Sequence, residues 1–400
     1  MFNQMMNLPI TQVLQEIGQK AEHLSPHVVG GFVRDTLLGR ESSDLDVVVT
    51  ENDNQNGITL AQQLAQDWRG NVKVHLPFGT ATVGRPDGLK IDFVTTRRET
   101  YVTAGALPKI QFSNLVDDLC RRDFSINAIA ASIRPSQFGQ IIDPTDGVTD
   151  LKQGRIRTLH AESFTDDPTR IFRIVRYANR YGFQIETQTK KYLRSSLDHI
   201  NLISGFRLQK EFIHIFKELM ISEIVQQLSE LGIDEILCSG WKIAPNLDNR
   251  WKQIQKNREW ACQYLVDHRF NCQILSWMAL GLPDQAQKRL SLSLDLQQKL
   301  AEQSELAHRL LKEPLRKETK PSVVYQLLKP YSLEALVYHL PQPQIEQYLT
   351  EFRHIRPNIT GKDLINEGCC AGPKLAQTLW ERFAQQLDSK MSNRTQNKAD

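Results

Sequence analysis

The stretch VVGGFVRDTLLGRESSDLDVVV, residues 28–49, constrains the fold of this chain more than any other segment. β-Branched residues at both of its ends predict two strands, separated by a double glycine and a short helical pattern. Asp44 and Asp46 are two positions apart in the second strand, so their side chains share one face. Two adjacent carboxylates are typical ligands of a hard cation such as Mg²⁺, although a solvated edge strand with two surface acids is the alternative.

The residues before that strand suit a phosphate. Gly30 and Gly31 lack Cβ atoms, so an anion can approach the backbone at the start of the helix that follows. Arg34, in the first turn of that helix, can add a charge-assisted contact. Mg²⁺ held beside a triphosphate would activate an attacking hydroxyl and stabilise the leaving pyrophosphate. Asp92, on a later predicted strand, either joins as a third catalytic carboxylate or is a structural acid.

A second cluster of charged residues lies in DLCRRDFSINAIAAS, residues 118–132. Arg121, Arg122 and Asp123 directly precede an apolar stretch that we interpret as helical. Asp123 is a candidate N-terminal cap of that helix. The functional alternative places Arg122 on the triphosphate or the ribose, and this stretch alone leaves both interpretations open.

A third cluster lies in DDPTRIFRIVRYANRYGF, residues 166–183. Asp167 and Pro168 predict a helix start, and Arg170, Arg173 and Arg176 recur every three residues in an apolar context that leaves little surface for a solvated face. Asp167 and Arg170 place a planar acceptor beside a planar donor. Cytosine and adenine each offer an amino donor next to a ring-nitrogen acceptor, so this pair matches both bases and mismatches guanine and uracil.

The organisation of the chain changes near residue 150. Before it, short β-branched runs and helical segments predict a mixed sheet of about five strands; after about residue 163 the pattern is almost entirely helical. The chain has 400 residues and a net charge of +3, which tolerates a polyanionic partner without demanding one. No apolar run is long enough to span a membrane. Six cysteines without a CxxC pair argue against a zinc site or a disulfide framework, so we expect a soluble, cytoplasmic protein.

With these clusters in order, the sequence resembles the class II tRNA nucleotidyltransferases, which include the CCA-adding enzymes and bacterial poly(A) polymerases of the DNA polymerase β superfamily. The stretch GGFVRD…DLD resembles their first motif, RRDFSINA their second and DPTDGVTDLKQGRIR their third. DDPTR resembles their base-reading motif, ISGFRLQKEF their fifth, and ITGKDLINEGCCAGPKLAQTL a segment of their tail. The likeness is dense over residues 28–215 and thin beyond, apart from the tail segment.

The resemblance implies an α+β fold with four parts. These are a catalytic head over residues 1–150, a base-reading helical neck over 151–220, a helical body over 221–345, and a tRNA-binding helical tail over 346–400 with a frayed end. It implies that CTP, ATP and tRNA are the substrates and Mg²⁺ the cofactor. Mapped onto this chain, the family's metal ligands are Asp44 and Asp46, and Asp92 is a candidate third catalytic carboxylate. The implied nucleotide-binding residues are Gly30, Gly31, Arg34, Arg122, Asp123, Asp167, Arg170, Arg173 and Arg176.

Two positions depart from the family pattern. Asp166 stands where the base-reading motif usually begins with Glu, and Phe206 replaces the Glu that usually precedes Arg207 in the fifth motif. Both departures put the rigidity of the neck in doubt more than the reaction.

The product is the open question of the sequence. Relatives add CCA, CC only, A only or poly(A), and a half-specific enzyme would need a companion nucleotidyltransferase. The loop between the first two motifs, roughly residues 97–112, is of substantial length, which favours competence for the terminal A. A small-molecule nucleotidyltransferase would not need the long helical region. A non-catalytic RNA-binding scaffold would not need the Asp44–Asp46 pair.

Overall fold

The computed structural model describes residues 5–6, 8–42, 45–50, 56–106, 108–244, 247–265 and 270–396. The chain divides into two compact units. The first comprises residues 1–211, 218–220 and 230–236, and the second comprises residues 212–217, 221–229 and 237–400. The finer division at residues 150, 220 and 345 stays a prediction.

The strands all belong to the first unit, as far as the described residues show. In chain order they are β1 His27–Val29, β2 Leu45–Val49, β3 Asn71–His75, β4 Thr80–Gly84, β5 Lys90–Thr95, β6 Arg97–Thr100, β7 Lys109–Phe112, β8 Ala130–Ser132, β9 Ile141–Ile142, β10 Arg155–Ile156 and β11 Gln184–Ile185. Seven of these described strands form one mixed sheet in the order β3-β4-β5-β2-β1-β8-β9. β2 and β5 run parallel, and the other neighbours are antiparallel.

The predicted α+β class is confirmed, with seven strands in the head sheet where the sequence predicted about five. The helices up to residue 215 are α1 Thr11–Lys20, α2 Gly31–Leu37, α3 Asn56–Asp67, α4 Leu115–Cys120, α5 Gly147–Lys152, α6 Ser163–Asp166, α7 Thr169–Tyr181, α8 Thr187–Ser195 and α9 Gly205–Ile215. Short 3₁₀ helices lie at Glu22–Leu24, Leu76–Phe78, Ser125–Asn127, Pro135–Gln137, Leu197–Leu202 and Phe352–His354. Two further pairs, β6 with β7 and β10 with β11, lie outside the main sheet.

Local sequence explains where the main elements begin and end. Helix α7 ends where Gly182 adopts the left-handed conformation (φ 67°) that glycine reaches without steric cost. Helix α3 turns its apolar face, including Ile58 and Leu64, onto β4 and β5. These contacts cover β4 and β5 with a helix, and the ends of the central strands remain available to form a site.

The segment after Asp123 is not the helix that the sequence predicted. It contains the short 3₁₀ turn Ser125–Asn127 and then β8, which pairs with β1 in the main sheet. The residues of β8 are buried on both faces. A short strand of this kind carries a continuous apolar run, and periodicity cannot distinguish such a run from a buried helix.

All the regular secondary structure in the described residues of the second unit is helical. Its helices, after the shared end of α9, are α10 Ile221–Glu230, α11 Ile233–Leu237 (divided between the units), α12 Leu247–Tyr264, α13 Cys272–Leu280, α14 Asp284–Arg289, α15 Leu294–Lys312, α16 Pro321–Leu328, α17 Leu333–Tyr338, α18 Pro343–Thr350, α19 Gly361–Asn366 and α20 Pro373–Gln396. Phe216 and Trp277 pack edge to face with ring centroids 4.8 Å apart, which anchors one part of its core. Among the described helices, none combines the length and apolar character needed to cross a membrane.

The close approach of α1 to the backbone that follows β8 generates a testable prediction. A Cβ atom at Gly18 would overlap the backbone carbonyl of Ile133, which cannot rotate away. We therefore expect Gly18→Ala to lower the free energy of unfolding of the first unit by about 3 kcal/mol. Chemical denaturation followed by circular dichroism measures the loss. Gln19→Ala, an exposed position in the same helix, is the control, and equal stability of the two variants would contradict the packing argument.

Candidate functional site

Asp46 and Asp92 lie side by side in the sheet. The parallel register of β2 and β5 pairs Asp46 with Asp92, and the antiparallel register of β1 and β2 pairs Asp46 with Val29. Both carboxylates therefore share one face. The hydroxyl of Thr82 on β4 donates a hydrogen bond to Asp92 Oδ1. The predicted partner Asp44 lies outside the described residues.

The glycine turn after β1 brings its backbone close to this acidic pair. Gly30 adopts φ 68° and ψ −131°, a conformation that residues with a Cβ rarely reach. A Cβ at Gly30 would lie 2.7 Å from a terminal nitrogen of Arg122 and 3.6 Å from Asp46 Oδ2. The Arg122 guanidinium therefore lies over the turn and near Asp46, which suits an anion held between the turn and a metal.

A network of ion pairs holds the two arginines of the second motif. Arg121 donates to the fully buried Asp118 at 2.7 Å and to Glu99 at 3.0 Å. Arg122 donates to the other oxygen of Asp118 at 3.2 Å, and its buried Nε has no hydrogen-bond partner among the described residues. The Tyr101 hydroxyl donates to Glu99, and burial followed by that negative charge raises the pKa of Tyr101. Asp118 thus orients Arg122, and Glu99 helps to orient Arg121; sequence reasoning missed both roles.

Arg34 is placed differently from a free phosphate ligand. It is 4% exposed and donates two hydrogen bonds of 2.9 Å to Asp35 and one of 2.5 Å to Asn127. Its guanidinium lies over the rings of Tyr181 and Tyr177, with 4.7 and 5.3 Å to their centroids. Arg34 lines the same cavity as Gly30, but most of its donors already have protein partners. Its phosphate contact stays a prediction.

Asp123 is a buried anchor. It is 8% exposed and accepts two hydrogen bonds from Arg173, at 2.9 and 2.6 Å, and one of 2.9 Å from Asn127. Burial alone would raise the pKa of Asp123, but Arg173 and Asn127 outweigh it and lower the pKa to about 2. The following 3₁₀ turn has Phe124 as its N-cap, so Asp123 is not a helix cap. Its contact with a nucleotide stays a prediction.

Asp167 and Arg170 lie close in the chain, but each has another partner. Asp167 Oδ1 accepts from Arg207 at 2.6 Å and from the backbone and hydroxyl of Thr169. Arg170 is 5% exposed and donates to the Ser163 hydroxyl and to the backbone carbonyl of Arg121. Both side chains are thereby oriented. Oδ2 of Asp167 makes no hydrogen bond within the part of the chain that the structure describes.

Arg207 is a positioning residue that sequence reasoning did not select. Besides Asp167, it donates to the backbone carbonyl of Gly105 at 2.9 Å. Gly105 lies in the segment between β6 and β7, and its own backbone nitrogen donates to the carbonyl of Thr165. The loop between the first two motifs is therefore attached to the base-reading segment at Gly105.

The other arginines of α7 surround one aromatic ring. Arg173, Arg176 and Arg180 all lie within 5.5 Å of the centroid of Tyr177. Arg176 is 5% exposed, 3.6 Å from Glu218. Among the described residues, Arg173 and Arg180 line the cavity, whereas Arg176 is not one of its lining residues.

One cavity of about 690 Å³ collects most of the predicted site. The predicted residues that line it are Gly30, Gly31, Arg34, Asp46, Asp92, Arg122, Asp123, Asp167, Arg170 and Arg173. Glu99, Tyr101, Arg121 and Glu211 also line it. Glu211 belongs to the fifth motif, but nothing in its spacing signals that α9 turns it into this cavity. Within the described residues, no three acids, histidines or cysteines form a complete metal cluster.

Comparisons with known proteins identify relatives of this chain. Residues 26–157 match the family described as Poly A polymerase head domain, and residues 182–242 match the Probable RNA and SrmB-binding site of polymerase A. The A-adding tRNA nucleotidyltransferase of Geobacter sulfurreducens is 32% identical over 98% of this chain and 47% of its own length. The enzyme of the same name from Halalkalibacterium halodurans is 30% identical over 96% of this chain and 90% of its own length. The chain thus spans about half of the first relative and nearly all of the second.

Solved structures show the same fold. The apo form II of a CCA-adding enzyme superposes with a TM-score of 0.80 at 28% identity, covering 94% of this chain and 91% of that one. The Thermotoga maritima CCA-adding enzyme complexed with tRNA superposes with a TM-score of 0.74 at 27% identity, covering 97% and 94%.

The Asp123–Arg173 pair generates a pH prediction. Because the folded-state pKa of Asp123 is about 2, below its ordinary value of 3.8, its stabilisation is present above about pH 4 and is lost as the pH falls through about 2. We expect this contribution to be about 2 kcal/mol of unfolding free energy. Denaturation of the wild type and of Asp123→Asn from pH 6 to pH 2 measures it. Arg173→Met should flatten the same step, and parallel wild-type and Asp123→Asn curves would contradict the assignment.

Proposed function

We propose that this chain, which belongs to the tRNA nucleotidyltransferase family, adds CMP and AMP from CTP and ATP to the 3′ end of tRNA without a template. The main observation that supports this proposal is the pairing of Asp46 with Asp92 beside a glycine turn that is covered by Arg122. This arrangement places carboxylates, a close backbone and a guanidinium around one point, as transfer of a nucleotide from a triphosphate requires.

The proposed reaction is attack by the RNA 3′-hydroxyl on the α-phosphorus. A bond forms between that oxygen and phosphorus, and the bond to the bridging oxygen breaks, releasing pyrophosphate. Asp92 is positioned to take the hydroxyl proton, because Thr82 holds its Oδ1 while Oδ2 makes no hydrogen bond within the described residues. Arg122, oriented by Asp118, is positioned to compensate the charge of the phosphates.

The donor set suits a divalent cation. Asp46 and Asp92 offer carboxylate oxygens on adjacent strands, the ligands that hard cations prefer. We propose Mg²⁺ held by Asp44 and Asp46, with Asp92 beside them as the third catalytic carboxylate. The bound ion would supply Lewis-acid stabilisation of the attacking oxygen and of the phosphates.

Base selection is assigned to Asp167 and Arg170. Oδ2 of Asp167 is the acceptor left for an amino group, and Arg207 with Thr169 prevents the carboxylate from rotating. The Nε of Arg170 makes no hydrogen bond within the described residues, so it is the donor proposed for the ring nitrogen. Cytosine and adenine satisfy this pair, whereas uracil and guanine present the opposite order of donor and acceptor.

We propose the complete CCA end as the product. The pair accepts both bases, and the segment between the first two motifs forms the β6–β7 hairpin whose Gly105 contacts Arg207. A-only addition is the second candidate, because two relatives are named A-adding enzymes. A companion enzyme would then supply CC. The helical second unit is proposed to hold the tRNA, and the six unpaired cysteines fit a cytoplasmic location.

The acidic pair provides the test of chemistry. We expect Asp46→Asn to lower kcat for both CMP and AMP transfer at least a hundredfold, because it removes a charged ligand at the reacting phosphate. Incorporation of radiolabelled nucleotide into tRNA measures the loss. Asp87→Asn, at the exposed turn between β4 and β5, is the control. Retention of more than about a tenth of the activity by Asp46→Asn, a difference of ~1.4 kcal/mol, would exclude the assignment.

The product is tested with three substrates: tRNA ending at the discriminator base, tRNA-C and tRNA-CC. We expect the chain to extend all three to CCA when CTP and ATP are both present, because one pair reads both bases. A sequencing gel of the products shows the result. Extension of tRNA-CC alone would make the chain an A-adding enzyme, and arrest at CC would make it a CC-adding enzyme.

A further inference from the structure

We infer that Glu211 is a specificity-determining residue, whose carboxylate accepts a hydrogen bond from the exocyclic amino group of the incoming cytosine or adenine. The inference rests on the proposed function, because it assigns a ligand group to the same cavity. It concerns a residue outside the Asp167–Arg170 pair.

Glu211 is a buried acid whose Oε2 has no hydrogen-bond partner in the part of the chain that the structure describes. It is 8% exposed, and its side chain lines the cavity. Its Oε2 atom is itself fully buried. Within the described residues, no hydrogen bond or ion pair joins this carboxylate to another side chain. A buried carboxylate loses its hydration, and without a hydrogen-bond donor nothing compensates for that loss. Buried polar groups are rarely left in this state away from ligand sites.

The neighbouring cations do not compensate for it, because they have other partners. Arg173 donates to Asp123, and Arg176 lies against Glu218 and the ring of Tyr177. Burial raises the pKa of Glu211, and the charges that act on it are those of Arg176, Arg173, Asp167 and Lys210. The positive charges of the two arginines lower the pKa of Glu211, whereas burial raises it. Within the described residues, neither arginine donates a hydrogen bond to Glu211. Glu211 is therefore influenced by two positive charges, but its Oε2 has no hydrogen-bond donor among the described residues.

The missing donor is a group that cytosine and adenine share. Their amino group carries two N–H bonds, and in the proposed reading Asp167 accepts one of them. Glu211 lines the same cavity as Asp167, so we assign it as the acceptor for the second. Uracil and guanine would turn a carbonyl oxygen towards two carboxylates, an unfavourable contact between acceptors. The carboxylates of Asp167 and Glu211 would thus both accept from the amino group, which explains why the site selects bases that carry one.

The experiment removes the Glu211 carboxylate from the protein and the amino group from the nucleotide, separately and together. Wild type, Glu211→Met and Glu211→Gln are compared for binding of ATP and of purine riboside triphosphate, which lacks the amino group, by calorimetry. CTP and the triphosphate of pyrimidin-2-one riboside are compared in the same way. We expect Glu211→Met to reduce the preference for the amino-bearing nucleotide about tenfold, the value of one hydrogen bond to a charged acceptor. Glu211→Gln, which keeps an acceptor oxygen, should retain more of the preference than Glu211→Met.

The control is Gln209→Met, an uncharged position in the same helix, which should keep the wild-type preference. An equal loss of affinity for both nucleotides of a pair in Glu211→Met would mark a purely structural role and overturn the inference. Equal behaviour of the Gln and Met variants would overturn it too. Because binding is measured without turnover, a wild type that binds ATP selectively but transfers nothing to tRNA would refute the proposed function and leave this inference standing.

Discussion

The site depends first on the register of β2 between its two neighbours. Backbone hydrogen bonds to β1 on one side and β5 on the other place Asp46 opposite both Val29 and Asp92. A slip of one residue would turn Asp46 to the opposite face of the sheet and separate it from the glycine turn. The buried apolar residues of β2, Leu45, Val47 and Val49, oppose such a slip. Hydrophobic burial therefore keeps a polar pair in place.

A second constraint is a set of charged side-chain contacts that join α7 to earlier elements of the first unit. Arg173 reaches Asp123, and Arg34 lies against Tyr177 and Tyr181 of the same helix. Burying charges costs desolvation that their attraction often only offsets, so such pairs are weak evidence for stability. Their consequence here is positional. They set the distance between the helix that carries the base-reading residues and the strands that carry the acids.

Arg207 connects features that were separate in the sequence. Where the family pattern has Glu before this arginine, the chain has Phe206, which is 69% exposed and takes no part in the contact. Arg207 still holds Asp167 and the Gly105 carbonyl at once. The departure at Phe206 therefore does not remove the restraint on Asp167, which three hydrogen bonds supply.

The sequence by itself determined the α+β class and many of the main elements, and ten of the residues that it singled out line one cavity. Those inferences rest on short-range rules: alternation put Asp46 on one face of a strand, and Gly182, which reaches the left-handed conformation without steric cost, ended α7. Only the tertiary structure decided which charges meet, because Asp123 with Arg173, and Asp167 with Arg207, are 50 and 40 positions apart. It also turned the expected helix after Asp123 into β8, and it placed Glu211 in the cavity, where Oε2 has no hydrogen-bond partner among the described residues. Partner choice among buried charges depends on how distant elements pack, and a local pattern contains no information about that packing.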